Sequence, residues 1–373
     1  MLEIETNLAR LRQSRGFSAI ELARLTSVSR QTIYAIEAGT YTPNTAVALR
    51  LARVLETTVE ELFSLPADVP APDLPVENAT LLPGSDPQEP GQALQLCRVD
   101  KQLIACPPLP ERWYFPASDA VVLPGGGRGQ TKVQLFHSDP AEYRNRILIA
   151  GCDPGISVLA RHIAAAGIEL VLAHRNSSQS LKLLKDGCIH IAGTHLRDDA
   201  SGESNIPEIS KRFARNAVAV FTFSVWEEGI VTARGNPKSI RSIEDLARPG
   251  ITIVNREAGA GSRNLLDAAL QHLGIEPAKV SGYTRTAPGH LPAAWQVLAG
   301  NADCCISTRA AARLFGLGFI PLVSERYDLA IRRPHLDIPA VQSLLEMLTR
   351  TAFRRELEGL GGYDTTAAGR RIL

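Results

Sequence analysis

The sequence carries almost no net charge: 40 Lys and Arg stand against 39 Asp and Glu, leaving +1. Bulk charge therefore gives no reason for nucleic-acid binding, and any DNA contact must come from local placement of cations. Long apolar runs are missing too. The longest, such as Ala217–Phe223, are of strand length, far short of the ~20 residues of a membrane-spanning helix. The opening stretch MLEIETNLARLRQSRG has early acids and no apolar core of signal-peptide length, so a cytoplasmic protein without membrane contact is expected. Of the six cysteines (Cys97, Cys106, Cys152, Cys188, Cys304 and Cys305) none forms a CxxC pair, so thiols are expected rather than a metal site. HExxH, GxSxG and Walker motifs are absent as well, so neither catalysis nor a cofactor is expected.

What is present is ordinary soluble composition: 45% hydrophobic and 21% charged residues over 373 positions, enough for two or three domains of about 150 residues. Residues 5–63 read as five short amphipathic helices. Leu8 and Leu11, then Ile20, Leu22 and Ala23, keep helical spacing across a break at Gly16. Ser18 with Glu21 reads as a capping box. Ser29 can cap a helix over 30–38 that Gly39 ends. Two short helices joined by the tight turn Thr26-Ser27-Val28 can place the second in a major groove. Its exposed start offers Arg30 for guanine and Gln31 for adenine. The expected DNA contacts are Ser18, Ser29, Arg30, Gln31, Thr32 and Tyr34. Arg10, Arg12, Arg50 and Arg53 are added as phosphate contacts.

The segments ELARLTSVSRQTIYAIEAG and TPNTAVALRLARVL resemble the Cro- and lambda-repressor-like (XRE) helix-turn-helix family over about residues 5–65. Ala19 departs from it, where members often have a phosphate-touching Gln. The resemblance implies a homodimer on a double-stranded DNA operator, with half-sites about 34 Å apart.

Residues 66–92, rich in Pro, Asp, Glu and Gly, read as an exposed linker. Short strand-like runs over 93–144 predict a small β segment, with PGGGRGQ as a hairpin loop. From 145 onward strands and helices alternate, which predicts parallel α/β sheets in two lobes joined by crossovers near 217–231 and 307–322. The domain expectation is thus 1–65, 66–92, 93–144 and 145–373. The fold expectation is multidomain: an all-α helix-turn-helix head plus an α/β two-lobed sensor with a small β segment between. Gly- and Ser-rich loops fall at the carboxyl ends of strands, where ligands bind and helix N-termini favour anions.

The segments AGCDPGISVLARHI, DGCIHIAGTHLRD, IVNREAGAGSRNLLDAAL and APGHLPAAWQVLAGNADCCISTRAAA look like the periplasmic-binding-protein-like domain related to molybdate-binding proteins, over about 145–362. The resemblance implies a small anionic ligand in a cleft, molybdate or tungstate first. It carries over Asp153, Ser157, Ser177, Ser178, Thr194, His195, Asn255, Arg256, Gly261, Ser262, Arg263 and His290 as ligand contacts. NSSQS lacks the glycines of relatives, and Arg263 directly follows Ser262 where relatives often have a Thr between. Asp153 suits a helix cap better than an anion. Two other readings stand beside this one: a regulator sensing a small organic metabolite, and an enzyme using His174, His195 and His290 with Cys152 or Asp153 as a nucleophile or metal constellation.

Overall fold

The computed structural model describes residues 4–64, 76–85, 90, 92–107, 117–125, 129–136, 145–197 and 203–373. The chain divides into two compact units, Met1–Asp73 and Leu74–Leu373.

In the first unit a short pair, β1 (Glu5–Thr6) with β2 (Phe63–Ser64), ties the ends of a five-helix bundle. Its helices are α1 (Leu8–Ser14), α2 (Ala19–Thr26), α3 (Arg30–Glu37), α4 (Thr45–Val54) and α5 (Val59–Leu62). The starts are chemically marked. Ser18, Ser29, Asn44 and Thr58 each accept a backbone N–H three residues on. Such caps satisfy donors that the helix itself leaves open. At Ser18 the side chain takes the Glu21 N–H; the reciprocal capping box falls instead at Thr58 and Glu61. Ser27, in the left-handed region at φ 55°, makes the tight turn between α2 and α3. Leu8, Leu22, Ile33, Ile36, Leu51, Leu55 and Leu62 form the core.

The second unit opens with a closed barrel: β3 (Val76–Leu81), β4 (Ala93–Val99), β5 (Gln102–Cys106), β6 (Ala120–Leu123) and β7 (Gln130–Leu135), ordered β3-β5-β4-β6-β7. Strand β3 lies inside the stretch that composition assigns to linker. Its Ala79 and the following Leu82 are buried, and ladder pairing with β7 overrides the acidic, Pro-rich context. Residues 66–75, 86–89 and 91 of that stretch lie outside the described residues, as do residues 126–128 of the expected hairpin loop. The flanking β6 and β7 are antiparallel.

The remainder is one nine-stranded sheet that serves two lobes. Lobe one holds β8 (Arg146–Gly151), β9 (Glu169–His174) and β10 (Ile191–Thr194), mutually parallel, with helices α6 (Ile156–Ala164), α7 (Ser177–Lys185) and α8 (Ile206–Arg212). Strand β11 (Val218–Thr232) then crosses to lobe two. That lobe holds β12 (Ile253–Arg256), α9 (Gly261–His272), β13 (Thr286–Ala287), α10 (His290–Leu298), β14 (Cys304–Thr308) and α11 (Arg309–Leu314). Strand β15 (Gly318–Arg332) returns antiparallel to β11 over its full length. Helices α12 (Pro339–Met347) and α13 (Thr351–Gly359) and the short β16 (Tyr363–Asp364) close lobe one.

Two details differ from expectation. The return crossover is Gly318–Arg332, not 307–322, because Arg309–Leu314 form a helix capped by Thr308. The run Val280–Tyr283, which the strand–helix alternation after 145 counts as a strand, is none. Pro277–Lys279 make a 3₁₀ turn, and the edge strand is the two-residue β13.

The register of β11 against β15 shifts at Thr222/Ser224 and at Glu228/Gly229. At the second shift a Cβ on Gly229 would press into the Ile320 carbonyl, so the bulge needs glycine there.

Candidate functional site

The carboxyl ends of β8, β9 and β10 meet the starts of α9 and α10 across the cleft between the lobes. Cys152 follows β8 and His195 follows β10, both from lobe one. Cys152 Sγ lies 3.3 Å from His195 Nε2 and 4.0 Å from Nε2 of His290, the first residue of α10 in lobe two. All three are buried. His195 Nδ1 is 2.8 Å from Glu325 of β15 and 3.9 Å from Glu228 of β11. His290 Nδ1 is 3.4 Å from the Ser307 hydroxyl. Trp226 sits edge-on to both imidazoles, each 4.9 Å away between centroids.

Dry surroundings set the electrostatics. Burial, reinforced by Glu325, pushes the Glu228 carboxyl up to about 8. Burial pushes Asp153 up to about 7, although Tyr363 and the Gly155 N–H pull the other way. Burial holds His290 well below the usual imidazole range, with Arg256 adding to the effect, and takes His174 down to about 4. At His195 burial also lowers the pKa, but the Cys152 sulfur and Glu228 outweigh it and the net shift is upward.

Arg256, at the end of β12, is 1% exposed. Its Nε and one Nη reach Glu257 at 3.1 and 3.2 Å, while Nη1 is buried without a hydrogen-bond partner. Ser262 is wholly buried in the first turn of α9 and faces Glu228. Helices α9 and α10 both start without a side-chain cap. Beside this cluster opens a cavity of about 610 Å³, lined by Cys152, Asp153, His174 and His290 with Ile149, Ile156, Leu172 and Leu291.

The residues expected from sequence divide into two sets. His195, Arg256, Gly261, Ser262 and His290 come together. A Cβ on Gly261 would lie 2.5 Å from the His195 ring, so the α9 start packs directly on that imidazole. Ser177 is adjacent, its hydroxyl accepting the His195 N–H at 3.0 Å. Ser178 meets Gly259 across the lobes, where Asn176 also donates to the Ala258 carbonyl.

The others have hydrogen-bond partners of their own, although Asp153 and Ser157 also line the cavity. Asp153 caps the turn into α6 through the Gly155 N–H at 2.7 Å. Ser157 is exposed and donates to the Pro154 carbonyl. Thr194 donates to Asn205, and Asn255 is spent on the Arg256 N–H and the Tyr283 carbonyl. Arg263 turns to Asp267 at 3.0 Å and lies over the Tyr283 ring. Sequence reasoning missed Trp226, Glu228, Ser307 and Glu325. The available signal was a period-two set on β11, Ser224, Trp226 and Glu228, that places polar groups on one face of a buried strand.

In the head, Ser29, Arg30, Gln31 and Tyr34 are exposed along the start of α3, and Arg30 lies over the Tyr34 ring at 5.2 Å. Thr32 pairs with Ser29 at 2.7 Å. Arg10, Arg50 and Arg53 are exposed. Arg12 is not free for phosphate. It makes a two-pronged, half-buried pair with Glu37 and a further bond to the Phe17 carbonyl.

A helix-turn-helix bundle joined to a two-lobed α/β cleft defines a DNA-binding regulator with a ligand-binding domain. Family profiles agree on both parts: the PBP superfamily domain matches residues 160–349, and a helix-turn-helix domain matches 8–62. The chain belongs to the PBP superfamily, with an XRE-type helix-turn-helix domain at its N-terminal end. It is 33% identical over 241 residues to the uncharacterized protein YvgK of Bacillus subtilis, covering 64% of this chain and 77% of that one. An uncharacterized HTH-type transcriptional regulator of Archaeoglobus fulgidus is 35% identical over 60 residues, 16% of this chain and 86% of its own. Among solved structures it is similar to the tungstate ABC transporter from Geobacter sulfurreducens, at 13% identity and TM-score 0.44, covering 57% of this chain and 98% of the other. It is also similar to the sulfate-binding protein SubI from Mycobacterium tuberculosis H37Rv, at 17% identity and TM-score 0.44, covering 59% and 86%. Among the described residues no helix is long and apolar enough to cross a membrane.

Proposed function

We propose that the protein is a cytoplasmic, homodimeric, non-enzymatic transcription regulator whose cleft binds a small anion and thereby changes operator binding. The observation that carries the anion reading is Arg256, a buried guanidinium with Nη1 left without a partner. A buried, unpaired charged donor is costly, and an anion accepting from it removes that cost. The uncapped starts of α9 and α10 and the hydroxyl of Ser262 add donors of the same sense. Molybdate and tungstate are the first candidates. In the head, Arg30 and Gln31 read bases, with Ser29, Thr32, Tyr34, Ser18, Arg10 and Arg50 around them on the operator side.

A second reading, a small organic anion, is favoured by the cavity. Its 610 Å³ equal the space of about 20 water molecules, and its walls include Ile149, Ile156, Leu172 and Leu291. Calorimetry of the full chain with molybdate, tungstate, sulfate and phosphate separates the two. Binding of one of them that weakens at least tenfold in Arg256→Met and in Ser262→Ala supports the inorganic reading. Four flat titrations with folded protein reject it and leave the organic one.

A further inference from the structure

Cys152, His195 and His290 offer one sulfur and two imidazole nitrogens whose ligand atoms all lie within 4.8 Å of one another. We infer that these three side chains form a binding site for a single transition-metal ion of the zinc type, with a fourth position left open. This goes beyond the anion reading and does not depend on it. The composition of the site, two nitrogens and one thiolate, suits zinc rather than magnesium or calcium.

The geometry is close to what such an ion demands. With metal–sulfur and metal–nitrogen bonds of about 2.3 and 2.05 Å, a tetrahedral site puts sulfur ~3.6 Å from each nitrogen. The observed separations, 3.3 and 4.0 Å, bracket that edge. Small side-chain adjustments suffice.

The tautomers also fit. His195 Nδ1 faces the Glu325 carboxyl at 2.8 Å, so an Nδ1–H donated there leaves Nε2 as the nitrogen that faces Cys152. A carboxylate behind a ligating imidazole is the usual support of a metal-bound histidine. His290 has the Ser307 hydroxyl in the equivalent place, at 3.4 Å. Cys152 and His290 both border the cavity, which provides a route in.

Binding exchanges one proton for the ion. The Cys152 S–H bond breaks, the proton leaves to solvent, and the sulfur electron pair bonds the metal. No oxidant or reductant is involved. The open fourth position takes water, or an oxygen of whatever anion the cleft holds. Two ligands come from lobe one and His290 from lobe two, so the ion holds the lobes together.

The test uses reduced full-length protein, stripped with chelator and titrated with Co²⁺. Saturation at one ion per chain is expected, with a thiolate-to-cobalt charge-transfer band and strong visible bands of a tetrahedral site, all displaced by Zn²⁺. Cys152→Ser should lose the charge-transfer band, while Cys188→Ser, whose thiol lies after α7, should keep it. Glu325→Gln should keep the band but bind about 10–100-fold more weakly. Absence of the band in the folded natural chain, or its survival in Cys152→Ser, overturns the assignment. If Cys152→Ser does not fold, His290→Ala is decisive: at least tenfold weaker cobalt binding supports the site, and unchanged affinity refutes it. Molybdate calorimetry on the metal-free protein reads the anion proposal separately.

Discussion

Replacing Asp153 with Asn isolates one buried ionisation from the rest of the cleft. Asp153 is 4% exposed; its Oδ1 accepts from Gly155 N–H and the Tyr363 hydroxyl, while Oδ2 has no hydrogen-bond partner. Burial raises its pKa from 3.8 to about 7. Below the lower value both folded and unfolded chains hold the proton. Between the two values the unfolded chain releases it and the folded chain keeps it, so stability falls as pH rises. Above about 7 both states are ionised, and the loss levels off at about 4 kcal/mol, at about 1.36 kcal/mol per pH unit. Asparagine cannot ionise, yet its oxygen still accepts from Gly155 and Tyr363. The three tryptophans, Trp113, Trp226 and Trp295, all belong to the second unit, so tryptophan fluorescence follows that unit alone. Urea unfolding from about pH 4 to about pH 8 should show the variant gaining on the natural chain as pH rises, by up to about 4 kcal/mol. Equal pH slopes for the two proteins would refute the burial argument.

Three further substitutions probe other links. Arg12→Ala removes a two-pronged bond to Glu37 and should destabilise the head by about 2–3 kcal/mol, seen as faster proteolysis of residues 8–62 in the full chain. Arg30→Ala leaves the bundle core untouched and should cost about 1–3 kcal/mol of operator discrimination by fluorescence anisotropy, with unchanged thermal unfolding. Gly229→Ala forces a Cβ onto the Ile320 carbonyl at the β11 bulge and should cost about 1–3 kcal/mol in fluorescence-monitored unfolding.

The head was legible because its information is local. Ser18, Ser29 and Gly39 mark helix ends within a few residues of the periodic Leu22, Ile33 and Ile36, and the structure places caps at those serines. The α/β alternation was legible for the same reason, since each strand or helix carries its own period. Strand β3 was not, because a ladder partner 50 to 58 positions away, Val76 against Gln134 at the widest, decides it rather than its own composition. The return crossover misled because Pro321, Ser324, Glu325 and Arg326 break the apolar pattern of a strand. In the cleft, His195 and His290 were legible from their loops. Their partners were not: Cys152 meets Tyr327, 175 positions away, and His195 meets Glu325, 130 away. The Arg263–Asp267 pair, one helical turn apart on α9, is local, yet spacing alone does not say which partner the guanidinium takes.

The central claim is that the occupant of the cleft controls the head. The direct measurement is the affinity of the full chain for a DNA site selected from a random pool, by fluorescence anisotropy at fixed salt, with and without the anion that calorimetry identifies. Saturation should shift the affinity by about 5–150-fold, in either direction, as is typical of coupled sites. That shift should vanish in Arg256→Met while DNA binding itself persists. Identical affinities with the cleft empty and saturated would contradict it.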